Sequence, residues 1–431
     1  MLDSMDHVKK TELFLILALA VAFIGYFLAI YFGNLDTEVI KDRYWKNVQP
    51  LFNGEIPIME YPPLSLLFFA IPRLFGSTPY AYNGFYVMET YIFTIIGLEL
   101  IRRIAERFGA DQEKVMYLYS VLMALMLEYI ADRYDIFPAI ITLAAIYMFL
   151  GKHPQWAFIL LSMGMMTKLY PAMMVPIFLM VYVVEKDWKS FFSGITWFII
   201  ATLAIVVPVM LIEPEMIYNF LEYHNGRPLE VGSVTATLIY PFSMLGLTDV
   251  WIFPASAEGS FGSDDLRGTI PDAIAPWLTP IMFIAVVGAI LYYGYARNGC
   301  KRADEKLFFI NATILTVFLL FISVGKVFSS QYMIWTTPFY CLTLMTAQNK
   351  VFSKRVRNML ILSLILTQIN FAYIFGILGG GTSINDLAMI SSLIRNLMIV
   401  STLVMVILEM ERVRKEGYAG EELGTEFPFT C

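Results

Sequence analysis

Residues 13–32 read LFLILALAVAFIGYFLAIYF, a run with no charge, and residues 33–42, GNLDTEVIKD, follow with Asp36, Glu38 and Asp42. About 20 apolar residues, coiled as a helix, cross a hydrocarbon core of ~30 Å. Lys9 and Lys10 precede the run, which is too long for a secretory h-region and lacks a small-residue cleavage site. It is therefore expected to stay in place as a first membrane span.

Working outward, similar stretches recur at about 80–101, 115–131, 136–150, 156–168, 171–185, 191–212, 274–296, 307–324, 331–347, 358–378 and 387–409, making twelve candidate spans in all. The chain has 431 residues, 58% hydrophobic and 15% charged, against about 25% charged in soluble domains. A transmembrane barrel would show ~10-residue alternating strands instead. The expected fold class is thus an all-α polytopic membrane protein, a single integral domain over 1–431 with about twelve spans. Cys300, Cys341 and Cys431 lie far apart and form neither a metal pattern nor a disulfide framework.

The positive-inside rule orients the spans. With the N-terminus inside, inner segments hold twenty of the 30 lysines and arginines. Both termini, including the tail 410–431, are then cytoplasmic. Two long segments, 33–79 and 213–273, fall outside. Each has an apolar piece too short to span comfortably (64–71 and 235–247), expected to lie at the interface or to dip and return. The chain after Glu409 is expected to be a disordered charged tail.

Several polar groups fall on the outer side. In 34–52, Ile40, Tyr44, Val48 and Phe52 recur every fourth residue, one face of an amphipathic helix. Asp36 just before it is either an N-cap or a carboxylate poised to take a proton. Glu38 and Asp42, four apart, read as a solvated acidic face. Asp132, Arg133 and Asp135 share a short turn, either an ion-paired turn or the rim of an outer cavity. Lys168, in TKLYP with Tyr170, either snorkels or serves an anion. His224 and Arg227, three apart, share a face if helical, and suit phosphate. Lys326 and Gln331 open an outer-facing span, with Tyr332 and Trp335 as interfacial aromatics or ligands. Arg395, inside the last span, marks a pathway or a helix–helix pairing. Carboxylates and cations gathered on one membrane side point to an anionic, lipid-borne substrate. No P-loop or Rossmann glycine pattern is present.

The order of these motifs resembles the GT-C glycosyltransferases, above all glycosyltransferase family 87, the polyprenol-phosphate-mannose-dependent mannosyltransferases, and the catalytic subunit of GPI mannosyltransferase I. Five pieces carry the resemblance: Asp36-x-x-Val-x-x-Asp42 with Gly54 and Tyr61-Pro-Pro; Tyr134-Asp135-Ile-x-Pro138; Lys168-Leu-Tyr-Pro171; Tyr223-His224-x-x-Arg227 with Ser233; and Lys326-Val-x-x-Ser-Gln331-Tyr332-x-x-Trp335. The resemblance implies an inverting transfer of a hexose, mannose being the family's commonest, from a polyprenyl-phosphate carrier to a lipid-linked or glycan acceptor on the non-cytoplasmic face. It gives Asp36 the role of base, and Lys168, His224, Arg227 and Lys326 the departing phosphate. Gln331 and Tyr332 orient sugar or phosphate, while Asp42, Tyr61, Arg133, Asp135 and Tyr170 line the substrate site. The GPI enzyme has a second Asp two residues before its base; here Asn34 stands there, so no metal is expected, and no other cofactor or nucleic acid. Two alternatives are a transporter or flippase for a phosphorylated lipid, and a GT-C transferase acting on protein or lipid A. Against the first, matched halves with broken midplane helices are not evident.

Overall fold

The computed structural model describes residues 6–32, 39–369 and 382–418. They fall into two compact units, the first running to His224 and the second starting at Asn225.

The first unit opens with α1 (His7–Tyr31), whose N-cap Asp6 accepts the Val8 N–H. Its buried residues, Thr11, Leu15, Leu19, Phe23, Tyr26 and Ile30, recur every three or four positions, so a single stripe faces protein. A π-helical turn (Val39–Trp45) leads into α2 (Lys46–Phe52). The expected stripe is there: Ile40, Tyr44 and Val48 are buried, while Phe52 at its end is 40% exposed. Then come α3 (Ser65–Phe75), α4 (Pro79–Arg107), α5 (Gln112–Leu125), α6 (Leu127–Asp132), α7 (Ile136–Leu150) and α8 (Pro154–Thr167). The chain breaks at Lys168, makes a 3-10 turn over Tyr170–Met173, and continues as α9 (Met174–Val184), α10 (Trp188–Ile212) and α11 (Glu215–Gly226). The break is where Pro171 removes a backbone donor. Helix α7 is buried along nearly its whole length and packs on α4 and α8. Gly194 is the one buried residue of α10; a Cβ there would lie 2.6 Å from the Phe158 ring.

The second unit begins with an extended strip, 229–231, and α12 (Val234–Met244), capped by the Ser233 hydroxyl, which accepts the Ala236 N–H at 3.1 Å. Strands β1 (Trp251–Phe253) and β2 (Asp265–Arg267) pair antiparallel, with Phe253 opposite Asp265. Helices α13 (Thr269–Ala296), α14 (Ala303–Val324), α15 (Tyr332–Thr346), α16 (Lys350–Ile369) and α17 (Thr382–Glu416) complete it. Helices α14 and α15 are buried almost throughout and pack on each other, with α13 and α17 also against α14.

All twelve apolar stretches contain helix. Among the described residues, six helices are long and apolar enough to cross a membrane: α1, α4, α10, α13, α14 and α17. Others, such as α7 and α8, are shorter. Segments 33–79 and 213–273 carry the short helices α2, α3, α11 and α12. The hairpin β1–β2 departs from the all-α expectation; each strand has only three residues, too few for alternation to register. Helix α17 continues past Glu409 to Glu416, where a charged tail was expected. Pairs spaced three and four apart, Arg412–Glu409 at 2.6 Å and Lys415–Glu411 at 3.1 Å, support the added turns.

Candidate functional site

In the first unit, three of the quoted motifs converge. Asp36 lies outside the described residues, as do the side chains of Asp42 and His224. Tyr61 follows Glu60 in the loop between α2 and α3, and that loop is tied down where the Leu64 N–H donates to the Met166 carbonyl of α8 at 2.8 Å. The Tyr61 and Tyr134 rings meet edge-on at 4.9 Å, and Tyr44 stacks on Phe69 at 4.4 Å. The Tyr134 N–H donates to the Tyr44 hydroxyl at 3.3 Å. Around this aromatic wall stand the charges. Lys168 Nζ lies 2.6 Å from Asp135 Oδ1 and 4.5 Å from the centre of the Tyr134 ring. Arg133 pairs with Asp132 at 3.3 Å, and Arg43 lies 3.8 Å from Glu60. Tyr170, one turn past Lys168, is buried at 4% exposure.

The electrostatics follow from burial. Desolvation opposes the charge of Arg133, but Asp132, Tyr44, Tyr61 and Asp135 outweigh it and raise its pKa. Arg43 behaves likewise, with the Tyr61 hydroxyl and Glu60 overcoming the burial cost. Burial pushes the Tyr44 and Tyr61 phenols up, so they remain neutral donors at physiological pH. The result is a group of fixed cations beside phenolic hydroxyls, an arrangement suited to an oxyanion.

In the second unit Arg227 and Lys326 come together, although 98 positions of chain separate them in sequence. Helix α11 ends at Gly226, so Arg227 lies beyond it rather than on a helical face with His224. Lys326 is held by its own backbone, whose carbonyl accepts the Glu230 N–H at 3.0 Å. Burial first, and then the nearby Arg227 charge, lower the Lys326 pKa. Gln331 stands at the start of α15. Tyr332 and Trp335 are buried, with rings stacked at 3.8 Å, which departs from their reading as interfacial aromatics. Arg395, 2% exposed, donates to the Gly232 carbonyl at 2.9 Å and the Ser330 hydroxyl at 3.3 Å, and sits 4.5 Å above the Phe328 ring. These contacts fasten α17 to the strip before α12 and to the loop before α15 rather than to another helix.

Sequence reasoning missed Glu230, Ser263, Asp265 and Ser329. Glu230 Oε1 accepts the Ser329 hydroxyl at 2.5 Å, and Asp265 Oδ1 accepts the Ser263 hydroxyl at 3.0 Å. Ser263 in turn accepts Arg227 Nη2 at 2.9 Å. The residues belong to a loop and a three-residue strand; their only sequence signal was the acidic pair Asp264–Asp265 beside Gly262 and Ser263. Among the described residues no group of three or more His, Cys, Asp or Glu side chains is placed to hold a metal.

Fold and side chains together define a multi-pass α-helical membrane protein with cationic and phenolic groups gathered at helix ends. A family model for glycosyltransferase family 87 matches residues 60–323, and the chain belongs to that family. The match includes Tyr61, Arg133, Asp135, Lys168, Tyr170, His224 and Arg227, and stops short of Lys326. Among solved structures, ArnT from Cupriavidus metallidurans bound to undecaprenyl phosphate is similar over 92% of this chain and 78% of that one, at 14% identity and a TM-score of 0.43. No curated protein matches significantly.

Proposed function

We propose that this family 87 enzyme is an inverting transferase of GT-C fold with about twelve crossings, moving a hexose from a polyprenyl-phosphate carrier to a lipid-linked or glycan acceptor. Mannose is the first sugar to test. Family membership over residues 60–323 is the observation that carries the reading. A lipid carrier is favoured because the chain is built of apolar helices, with Lys168, Arg133, Arg227 and Lys326 at helix ends or in loops. The distribution of basic residues favours reaction on the non-cytoplasmic face, with both termini cytoplasmic.

In the proposed step Asp36 accepts the proton of the acceptor hydroxyl as that oxygen attacks C1 of the sugar. The bond from C1 to the phosphate oxygen breaks, its electron pair leaves with the polyprenyl phosphate, and C1 inverts. The family resemblance assigns the leaving phosphate, as it gains charge, to the positive charge and donors of Lys168, His224, Arg227 and Lys326, and Arg133 to the lining of the substrate site. Tyr61, Tyr170, Gln331 and Tyr332 orient sugar or phosphate, Asp135 fixes Lys168, and Asp42 borders the site.

The test uses purified protein in liposomes with polyprenyl-phosphate-linked radiolabelled mannose and a membrane-lipid extract as acceptor, wild type beside Asp36→Asn. Transfer by the wild type and a loss of at least a hundredfold in the variant is expected. Equal transfer by both removes Asp36 from catalysis. Absence of transfer by the wild type across mannose, glucose and galactose donors overturns the donor assignment.

A further inference from the structure

The second unit holds two buried carboxylates that the proposed reaction does not use. Glu230 and Asp265 lie directly opposite each other in an antiparallel bridge. Flanking hydrogen bonds run from the Val231 N–H to the Asp264 carbonyl at 3.0 Å and from the Leu266 N–H to the Leu229 carbonyl at 2.7 Å. Strip 229–231 thus meets β2 in an isolated bridge. Directly opposed residues point to the same face, and like charges there are destabilising. Exposure is 8% for Glu230 and 1% for Asp265. Nothing in the packing requires acids here, since the neighbouring Leu229, Val231 and Leu266 form an apolar cluster with α12 and α13.

Among the described residues, each carboxylate accepts a hydrogen bond through one oxygen only. Ser329 binds Glu230 Oε1 and Ser263 binds Asp265 Oδ1. Glu230 Oε2 and Asp265 Oδ2 are buried with no hydrogen-bond partner among the described residues. Glu230 Oε2 lies 3.9 Å from Arg227 Nη2, an ion pair beyond hydrogen-bond length. Burial, with some help from Glu230, raises the Asp265 pKa to about 6 against the opposing effects of Ser263, Arg227 and Arg267. At neutral pH the Asp265 carboxylate is therefore an acceptor. Cations and unfilled carboxylate oxygens side by side match a ligand that is anionic at one end and rich in hydroxyl donors at the other.

We propose that Glu230 and Asp265 accept hydrogen bonds from the hydroxyls of a sugar whose phosphate is held by Arg227 and Lys326, making them specificity-determining residues of the transferase. This rests on the polyprenyl-phosphate-sugar reading above. A polyol offers paired hydroxyl donors, and a site built to receive them rejects a ligand lacking them strongly, because its buried acceptors are then left unfilled. Ser263 and Ser329 set the free oxygens by occupying the other two.

The test measures binding of two lipids to the full chain in nanodiscs: polyprenyl phosphate, and the same lipid carrying mannose, glucose or galactose in turn. Wild type, Asp265→Asn, Glu230→Gln and Arg227→Gln are compared. The expected result is a loss of about tenfold or more for the best sugar-bearing lipid in Asp265→Asn and Glu230→Gln, with less than a twofold change for polyprenyl phosphate. Arg227→Gln is expected to weaken both lipids. Equal weakening of both lipids by the carboxylate variants overturns the inference, since the acids would then only hold the cations. Unchanged binding of the sugar-bearing lipid also overturns it and leaves the transferase reading standing. Failure of the wild type to bind either lipid defeats the reading itself and the inference with it. If the variants fold poorly, deoxy-sugar lipids put the same question to the wild type. Removal of each hydroxyl without loss of affinity would overturn the inference equally.

Discussion

Replacing Lys168 with Met isolates the best-defined ion pair of the first unit. Asp135 is 1% exposed and the Lys168 side chain 14% exposed, with 2.6 Å between Nζ and Oδ1. Two charges this far from water survive because each offsets the other's lost hydration. Removing only the cation takes the ammonium from Asp135 Oδ1 and leaves that buried carboxylate only the more distant field of Arg133, a loss that typically costs about 3–5 kcal/mol. The contact of Lys168 with the Tyr134 ring at 4.5 Å is lost too, but it is not simply additive with the ion pair. Removing both charges, as Asp135→Asn with Lys168→Met, abolishes the stranded charge, so the double variant should recover at least about 2 kcal/mol of that loss. Reversible unfolding in mixed micelles under rising SDS would measure all four members of the cycle. A single-variant cost below about 1 kcal/mol, or a double variant no more stable than Lys168→Met, would refute the account of a buried, mutually dependent pair. Glycosyl transfer should stay low in the double variant despite its recovered stability, because the ammonium charge is still missing.

Asp265 carries a pH signature: its pKa is raised to about 6 by burial, so the folded state holds a proton that the unfolded chain, with an aspartate pKa near ~3.9, has already lost. Its contribution therefore makes the protein less stable as pH rises from about 4 to about 6, and the difference in thermal midpoint between Asp265→Asn and wild type should grow across that window and level off above it. Gly232→Ala should destabilise the second unit by about 1–3 kcal/mol, because the new Cβ would lie 2.5 Å from the Phe328 carbonyl. Hydrogen exchange is expected to quicken at the ends of α12 and α15, which that strip and loop adjoin, and an unchanged exchange pattern would count against the close approach.

The helices were legible because hydrophobicity is a local, repeated signal. The expected 136–150 coincides with α7 to the residue, and the Pro171 break falls where the chain turns. The polar residues of the first unit were legible as candidates, since ionisable groups in so apolar a chain stand out. Their partnerships were not, because Tyr61, Tyr134 and Lys168 meet only when α3, α7 and α8 are packed. Glu230 and Asp265 went unread for a related reason. A cross-strand pair depends on register, and three-residue strands leave no periodic trace. Arg395 was visible as an anomaly, but its role depends on a carbonyl 163 residues away in sequence. The proposed base, Asp36, was singled out by sequence position and motif alone.

The lengths of α7 and α8 bear on where chemistry can take place relative to the lipid. They form a hairpin through residues 151–153, with Asp135 before α7 and Lys168 after α8. The 15 residues of α7 rise only about 22 Å, some 8 Å short of a ~30 Å hydrocarbon core. If residues 151–153 rest at one interface, the other end of the hairpin stops below the opposite one. Its ion pair then lies at the floor of a dimple in the bilayer rather than at the level of the headgroups. A phosphate on a long isoprenoid could meet an ammonium there while its chain stayed immersed in lipid. The thickness of the surrounding membrane would then act as a physical parameter of the enzyme, as real as its side chains.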